Sequence, residues 1–191
     1  QVQPTRGTVG LAKGEALRQR VHGIPPDCRV TCVDAFVESA NWPAMLPAPV
    51  DVLIDACDQV RAKAALAVWA VGALVPIVCV GAAGGKRDVC QLEVDDLAKV
   101  SHDPLLAALR TRLRREHGLK GQPTFGVRCV FSREAVVMPT SGTGDNATTE
   151  PVDGSLNCHG YGSSVMVTAS FGLAAAAEAI QLALAAHARS A

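Results

Sequence analysis

Asp55 and Asp58 stand three residues apart at the end of a short apolar run, Val52-Leu53-Ile54. A carboxylate placed there can hold Mg²⁺ beside a nucleotide phosphate, because Mg²⁺ takes one or two carboxylates and leaves its other positions to phosphate and water. Asp58 could equally cap the helix that follows by accepting the N–H of Val60 or Arg61. The two roles are compatible. Lys13 lies three residues after Gly10, in the first turn of a predicted helix. A helix N-terminus attracts phosphate and a lysine there adds charge, whereas the plain alternative is a solvated surface lysine. Arg6 and Arg61 carry the same two readings. Cys158, in Asn157-Cys158-His159-Gly160, precedes the last predicted helix. A thiol so placed can have a lowered pKa and act as nucleophile or sulfur carrier, or be an ordinary, partly exposed cysteine.

The run Gly81-Ala82-Ala83-Gly84-Gly85-Lys86 resembles a phosphate loop but fails the GxxxxGK[ST] pattern. That pattern requires glycine where Val80 stands and Ser or Thr where Arg87 stands. A tight turn between Gly81 and Gly85, with carbonyls exposed for a cation or ligand, is the expectation, and a monovalent cation is one candidate. No Ser-His-Asp arrangement is visible.

These residues need elements to position them. Residues 52–54 read as a buried strand, 59–74 as an alanine-rich helix, and 76–80 as a second buried strand. A strand–helix–strand unit of this kind implies a right-handed parallel crossover, with ligands beyond the carboxyl ends of the strands. Both aspartates and the glycine run fall at that end. Ahead of this unit, 11–21 reads as a helix with Leu11, Leu17 and Val21 inward. Residues 29–37 read as a strand and 39–46 as a short helix. After it, 86–94 reads as extended and 95–100 gives no clear signal. Asp103-Pro104 opens a helix, Asp as N-cap and Pro at the first helical position, running to about His117 where Gly118 stops it. Residues 126–131 read as a strand, 139–157 as a mobile loop, and 163–187 as a long helix of Ala, Val and Leu.

The 191 residues suffice for a single domain, taken as 1–191. Hydrophobic residues are 49% and aromatics 4%, so Ala, Val and Leu must build the core. Lys plus Arg and Asp plus Glu are both 18, which excludes a bulk basic field but not a local patch for nucleic acid. Seven cysteines without a CxxC pair argue against structural zinc and for a reducing cytosol, with Cys57, Cys79 and Cys129 as small core residues. No signal peptide is read at the start, and the localisation expected is cytoplasmic. Residues 165–186 hold one charge, Glu178, and could pass for a membrane span. Thr168, Ser170, Gly172 and Gln181 interrupt the run, so the reading is a buried helix packed through small residues, with no membrane.

Three segments carry a likeness: Val9-Gly10-Leu11-Ala12-Lys13, the run from Ile54-Asp55-Ala56-Cys57-Asp58 to Leu66, and Val130-Phe131-Ser132-Arg133-Glu134. Together they resemble the ThiF/MoeB/HesA group of ubiquitin-activating-like adenylating enzymes. The stretches Gly84-Gly85 through Lys99, Asp103-Pro104-Leu105 and Cys158 through Gly172 are most similar to its branch that dehydrates threonylcarbamoyladenosine in tRNA. The resemblance implies an α/β, Rossmann-like adenylating fold, a largely parallel sheet with flanking helices. It implies ATP and Mg²⁺ as cofactors, Lys13 on phosphate, and Asp58 on Mg²⁺ and phosphate. Gln1 matches the last residue of an Asn-Arg-Gln motif that reaches the phosphates. The family's first strand, glycine-rich loop and ribose-binding acid would precede Gln1, so this chain is expected to be the larger, C-terminal part of such a domain.

The implied reaction is ATP-driven activation of the threonyl carboxylate next to the anticodon, followed by ring closure and loss of water. Such chemistry needs positioning and charge neutralisation more than a strong base, which suits Lys13, Arg61 and Asp58. tRNA is the implied partner, with Arg110, Arg114, Arg115 and Lys120 as candidate contacts because they crowd one helix and its following loop. A homodimer is implied as well, and Cys158 leaves room for a cysteine desulfurase or other sulfur-transfer partner. The competing readings are adenylation of a sulfur-carrier protein's C-terminus, lowered by the missing CxxC pairs, and an inactive binding or scaffold fragment.

Overall fold

The computed structural model describes residues 5–24, 27–118, 121–136 and 162–190. Among these a four-stranded sheet is ordered β1-β2-β4-β3. The strands are β1 (Leu53–Asp55), β2 (Ile77–Val80), β3 (Leu92–Asp96) and β4 (Arg128–Ser132). β1, β2 and β4 run parallel, with Asp55 opposite Cys79 and Val80 opposite Val130. β3 is the exception, pairing antiparallel to β4 with Leu92 opposite Ser132. The expected α/β fold with a largely parallel sheet and flanking helices is therefore present, with one reversed edge strand. That strand falls inside two readings made from the sequence, an extended segment at 86–94 and the unclear 95–100. A short 3₁₀ turn, Val89–Gln91, leads into it.

Alternation along the strands sorts side chains onto two faces. On one face Ile77, Cys79, Cys129 and Phe131 meet Ala64, Leu66, Ala67 and Ala70 of α2 (Val60–Gly72) and Leu106, Leu109 and Leu113 of α3 (Pro104–Glu116). Small residues on α2 let the helix sit close to the sheet, which offsets the scarcity of aromatics. On the other face Val78 and Val130 meet Val167, Phe171, Ala175 and Ala179 of α4 (Val165–Ser190). The spacing of four along α4 makes a single narrow stripe. Cys79 and Cys129 are wholly buried, as a reading of small core residues requires.

The C-terminal helix is not buried all round. It is long and apolar enough to cross a membrane, yet 22% of its most apolar stretch is buried. Leu173, Ile180 and Leu184 are 72%, 58% and 61% exposed. One sheet face can cover only one stripe of a helix, so the opposite flank stays uncovered in the described residues.

The N-terminal third departs furthest from expectation. α1 (Lys13–His22) forms, but none of its residues is buried, and Leu11 and Leu17 are more than 40% exposed rather than inward. Residues 29–37 form no strand, since no strand among the described residues offers them a ladder, and Phe36 is exposed. Residues 39–46 fold as turns instead of a regular helix, held by Asn41 side-chain bonds to Glu38 N and Phe36 O and by a Trp42–Trp69 edge contact. The expected mobile loop at 139–157 lies outside the described residues.

Candidate functional site

The carboxyl ends of the parallel strands bring three segments together: 55–59 after β1, 81–88 after β2, and 132–134 at the end of β4. Each is set by a buried or half-buried polar side chain.

The two aspartates at β1 divide the work. Asp55 is buried, and Oδ2 accepts from Lys63 Nζ at 2.9 Å while Oδ1 accepts from Cys57 N at 3.1 Å. The Cys57 thiol donates to the same Oδ1 at 2.8 Å. Lys63 comes from the second turn of α2, is itself fully buried, and also donates to the Val80 carbonyl at 2.9 Å. One ammonium therefore ties the ends of β1 and β2. Burial alone would depress the Lys63 pKa, but the Asp55 carboxylate and nearby thiols outweigh it and hold the amine above its ordinary value. Burial, then the Asp55 charge, pushes the Cys57 thiol up to about 12, so this cysteine stays protonated.

Asp58 is different. It is half-buried, and among the described residues its carboxylate has no hydrogen-bond or ion-pair partner. The N-cap reading of Asp58 does not hold. Gln59 is the N-cap of α2, without a side-chain cap bond. The physical reason is that Asp55 makes the local turn by taking the Cys57 N–H, which leaves Asp58 one residue outside the helix. An unclaimed carboxylate at a strand's carboxyl end fits an Mg²⁺ ligand. Among the described residues no group of three His, Cys, Asp or Glu forms a closed metal cage, so phosphate and water would complete the shell.

Asp103 holds the second segment. It caps α3 as expected, Oδ1 accepting from Leu106 N at 2.9 Å, and Oδ2 reaches across to accept from Ala82 N at 2.9 Å. A Cβ on Gly81 would lie 2.1 Å from that Oδ2, so the glycine is required by the close approach of a carboxylate. Burial raises the Asp103 pKa, and the two backbone N–H groups oppose it. Lys86, 2% exposed, points its ammonium at the carbonyls of His102, Ser132 and Glu134. Glu134 Oε2 accepts from Arg87 N at 2.7 Å and Asp88 N at 2.8 Å, locking the third segment to the second. Beside it lies a cleft of ≈ 360 Å³ lined by Ser101, His102, Asp103, Arg110 and Val136, among others.

The remaining sequence candidates are scattered. Lys13 is the exposed first residue of α1, and no hydrogen bond or ion pair joins it to the Asp58 loop among the described residues. Arg61 is exposed on the first turn of α2, next to Asp58 in sequence. Arg110 Nη1 donates to the Leu97 and Val100 carbonyls, so that guanidinium braces the loop before α3. Arg114 stacks over Phe125 at 5.6 Å and is exposed, and Arg115 pairs with Glu116. Gln1, Lys120 and Cys158 lie outside the described residues.

Lys63, Lys86, Asp103 as a cross-link, and Glu134 as a backbone clamp were missed from sequence. Lys63 left one signal, as the only charge between Arg61 and Lys86. A lone lysine in an apolar helix is buried only when paired.

These features, a largely parallel sheet with a carboxylate unpartnered among the described residues just beyond β1 and a cross-linked turn at β2's end, are those of an adenylating α/β domain. The chain belongs to the ThiF family, whose model matches residues 1–190. It is 41% identical to the tRNA threonylcarbamoyladenosine dehydratase of Escherichia coli K12 over 99% of this chain and 72% of that protein. The Haemophilus influenzae protein of the same name is 34% identical over 94% of this chain and 68% of its own length. The crystal structure of the E. coli enzyme in complex with ATP superposes with a TM-score of 0.84 at 39% identity, covering 100% of this chain and 71% of that one. Its AMP complex gives 0.82 at 39% identity, covering 98% and 70%.

Proposed function

We propose that this chain carries out ATP-dependent dehydration of threonylcarbamoyladenosine in tRNA, closing a ring by activating the threonyl carboxylate. The observation that carries this reading is the Asp58 carboxylate, free of protein partners among the described residues just beyond β1, in a chain so similar to a dehydratase solved with ATP and with AMP. ATP, when bound, supplies the activation of the carboxylate. Asp58 would hold Mg²⁺ when ATP is bound, Lys13 and Arg61 would neutralise phosphate charge, and Gln1 is assigned to the same phosphates from the family motif it matches. Asp55 and Lys63 keep the Asp58 loop in place, and Asp103 with Gly81 shapes the opposite wall. The tethered nucleophile lies in the same ureido-threonyl group, so orientation replaces a strong base.

The tRNA docks on Arg114 and Arg115, with Arg110 and, further along the sequence, Lys120 as additional candidates, as phosphate contacts that carry no sequence information. The exposed Leu173, Ile180 and Leu184 flank of α4 supports a homodimer contact, because apolar surface of this kind is covered in assemblies. Cys158 serves sulfur transfer from a desulfurase partner rather than ring closure, and the reaction takes place in the cytoplasm.

The test is to incubate the full chain with ATP, Mg²⁺ and tRNA bearing the modified adenosine. Loss of one water from the nucleoside, read by mass spectrometry with stoichiometric AMP release, is the expected result. Adenylation of a sulfur-carrier C-terminus instead would replace this reading with the carrier-activating one. Neither product would leave a binding or scaffold role.

A further inference from the structure

We propose that a groove between α2 and α3 seats backbone phosphate of the tRNA, and that Glu116 is a built-in competitor which the tRNA displaces. The inference rests on the tRNA reading above and takes it from a patch of arginines to one seat with its own counter-ion. The arginines of α3 divide between two faces, because positions one turn apart share a face of a helix. Arg110 and Arg114 stand together and are turned to the fold. Arg110 braces the Leu97 and Val100 carbonyls, and Arg114 lies over the Phe125 ring. Arg112 and Arg115 stand on the neighbouring face. They line a groove of ≈ 380 Å³ with Ala107, Ala108 and Thr111 of the same helix and Val60 of α2. Val60 is the first residue of α2, two positions beyond Asp58, so one end of the groove adjoins the loop that carries Asp58. Thr111 donates its hydroxyl proton to the Ala107 carbonyl at 2.9 Å, which leaves recognition of charge to the two guanidiniums.

Glu116 serves both of them. Its Oε2 lies 2.8 Å from Arg112 Nε, and its Oε1 lies 2.5 Å from Arg115 Nη2. The Arg115 hydrogen bond, with the charge of Arg112 added, holds the Glu116 carboxyl below its ordinary range, so it stays ionised. A carboxylate bridging two guanidiniums takes the position that one phosphate would take, since both anions offer paired oxygens to an arginine fork. Each guanidinium has five N–H donors, more than one shared carboxylate can use. The Arg115 side chain is 71% exposed, and exposed pairs of this kind are weak. A single phosphate that replaces Glu116 exchanges one anion for another and gains little. A chain of phosphates gains further contacts outside the groove, so Glu116 favours the polyanion over the free ion.

The experiment measures binding of an unmodified tRNA transcript to the full chain, without ATP, between about 50 and 200 mM KCl. The parent is compared with Glu116→Gln, with Arg112→Ala/Arg115→Ala, and with the triple variant. None of the three side chains is buried, so the variants keep the fold. Glu116→Gln should bind about two- to fivefold tighter, the factor that one exposed pair is worth. The double arginine variant should bind about 10-fold weaker or more, with a salt slope shallower by about one for each arginine. In the triple variant Glu116→Gln should add nothing, because no guanidinium is left for Glu116 to withhold. Unchanged or weaker binding by Glu116→Gln would overturn the proposal. So would equal tightening with and without the arginines, or an unchanged salt slope in the double variant. Displacement of the tRNA by inorganic phosphate at constant ionic strength would make the groove a free-phosphate site and overturn it too. A parent that binds tRNA and closes the ring while every variant binds as the parent does sinks this proposal alone. A parent that binds no tRNA sinks the dehydratase reading with it.

Discussion

Lys63 Nζ sits 2.9 Å from Asp55 Oδ2, with both side chains wholly shielded from solvent, at the point where β1 and β2 end. The pair separates the roles of two aspartates that look alike in sequence. Asp55 is consumed by the fold, whereas Asp58 keeps a carboxylate without a protein partner among the described residues.

Removing one partner of a buried pair leaves a charge without compensation. Lys63→Met should cost about 3–5 kcal/mol of stability by denaturant unfolding. Adding Asp55→Asn should recover part of that loss, because no ion then remains buried. A cost below about 1 kcal/mol for the single variant, within the range of exposed pairs, would show that the pair does not hold the strand ends together.

Asp58→Asn should leave stability within about 0.5 kcal/mol, because the carboxylate makes no bond to the described residues. Ring closure by the same protein should fall by about 10²-fold or more at any Mg²⁺ concentration, the scale of losing one charge-stabilising group. Near-normal turnover by the folded variant would sink the Mg²⁺ assignment.

Gly81→Ala places a Cβ 2.1 Å from Asp103 Oδ2 and 3.1 Å from Leu106 Cδ1. The expected cost is about 1–3 kcal/mol from overpacking. In an Asp103→Ala background the same substitution should cost far less, since the obstructing oxygen is gone. Additive costs in the double variant would place the strain elsewhere.

The backbone N–H groups of Asp88 and then Arg87 hold the Glu134 carboxyl below its ordinary pKa. A depressed folded value means that the stabilisation is present above the unfolded pKa, about 4.3, and is lost as pH falls through the folded one. Glu134→Gln keeps an oxygen for both N–H groups but has no charge to titrate. Melting temperatures of parent and variant between pH 2 and 6 should therefore converge at the acid end. Parallel curves would remove Glu134 from the pH dependence.

What was legible in sequence was local. Residues 52–80 announce strand, helix and strand because two short apolar runs flank a long alanine-rich segment, and Asp103-Pro104 announces a helix start because cap and first turn are neighbours in the chain. The two carboxylates just beyond that apolar strand were legible as a pair for the same reason. What only tertiary structure decided was set by partners distant in sequence. Residues 29–37 alternate like a strand, yet with no ladder to join among the described residues they form none. β3 reverses the sheet through pairing with β4, whose residues lie about 36 positions away. Asp55 and Asp58 could not be told apart until Lys63, one helix turn into α2, and Val80, at the end of the neighbouring strand, converged on the first of them. A buried charge is stable only where its counter-charge and hydrogen-bond acceptors meet, and that meeting is a property of the folded sheet, not of any one stretch of the chain.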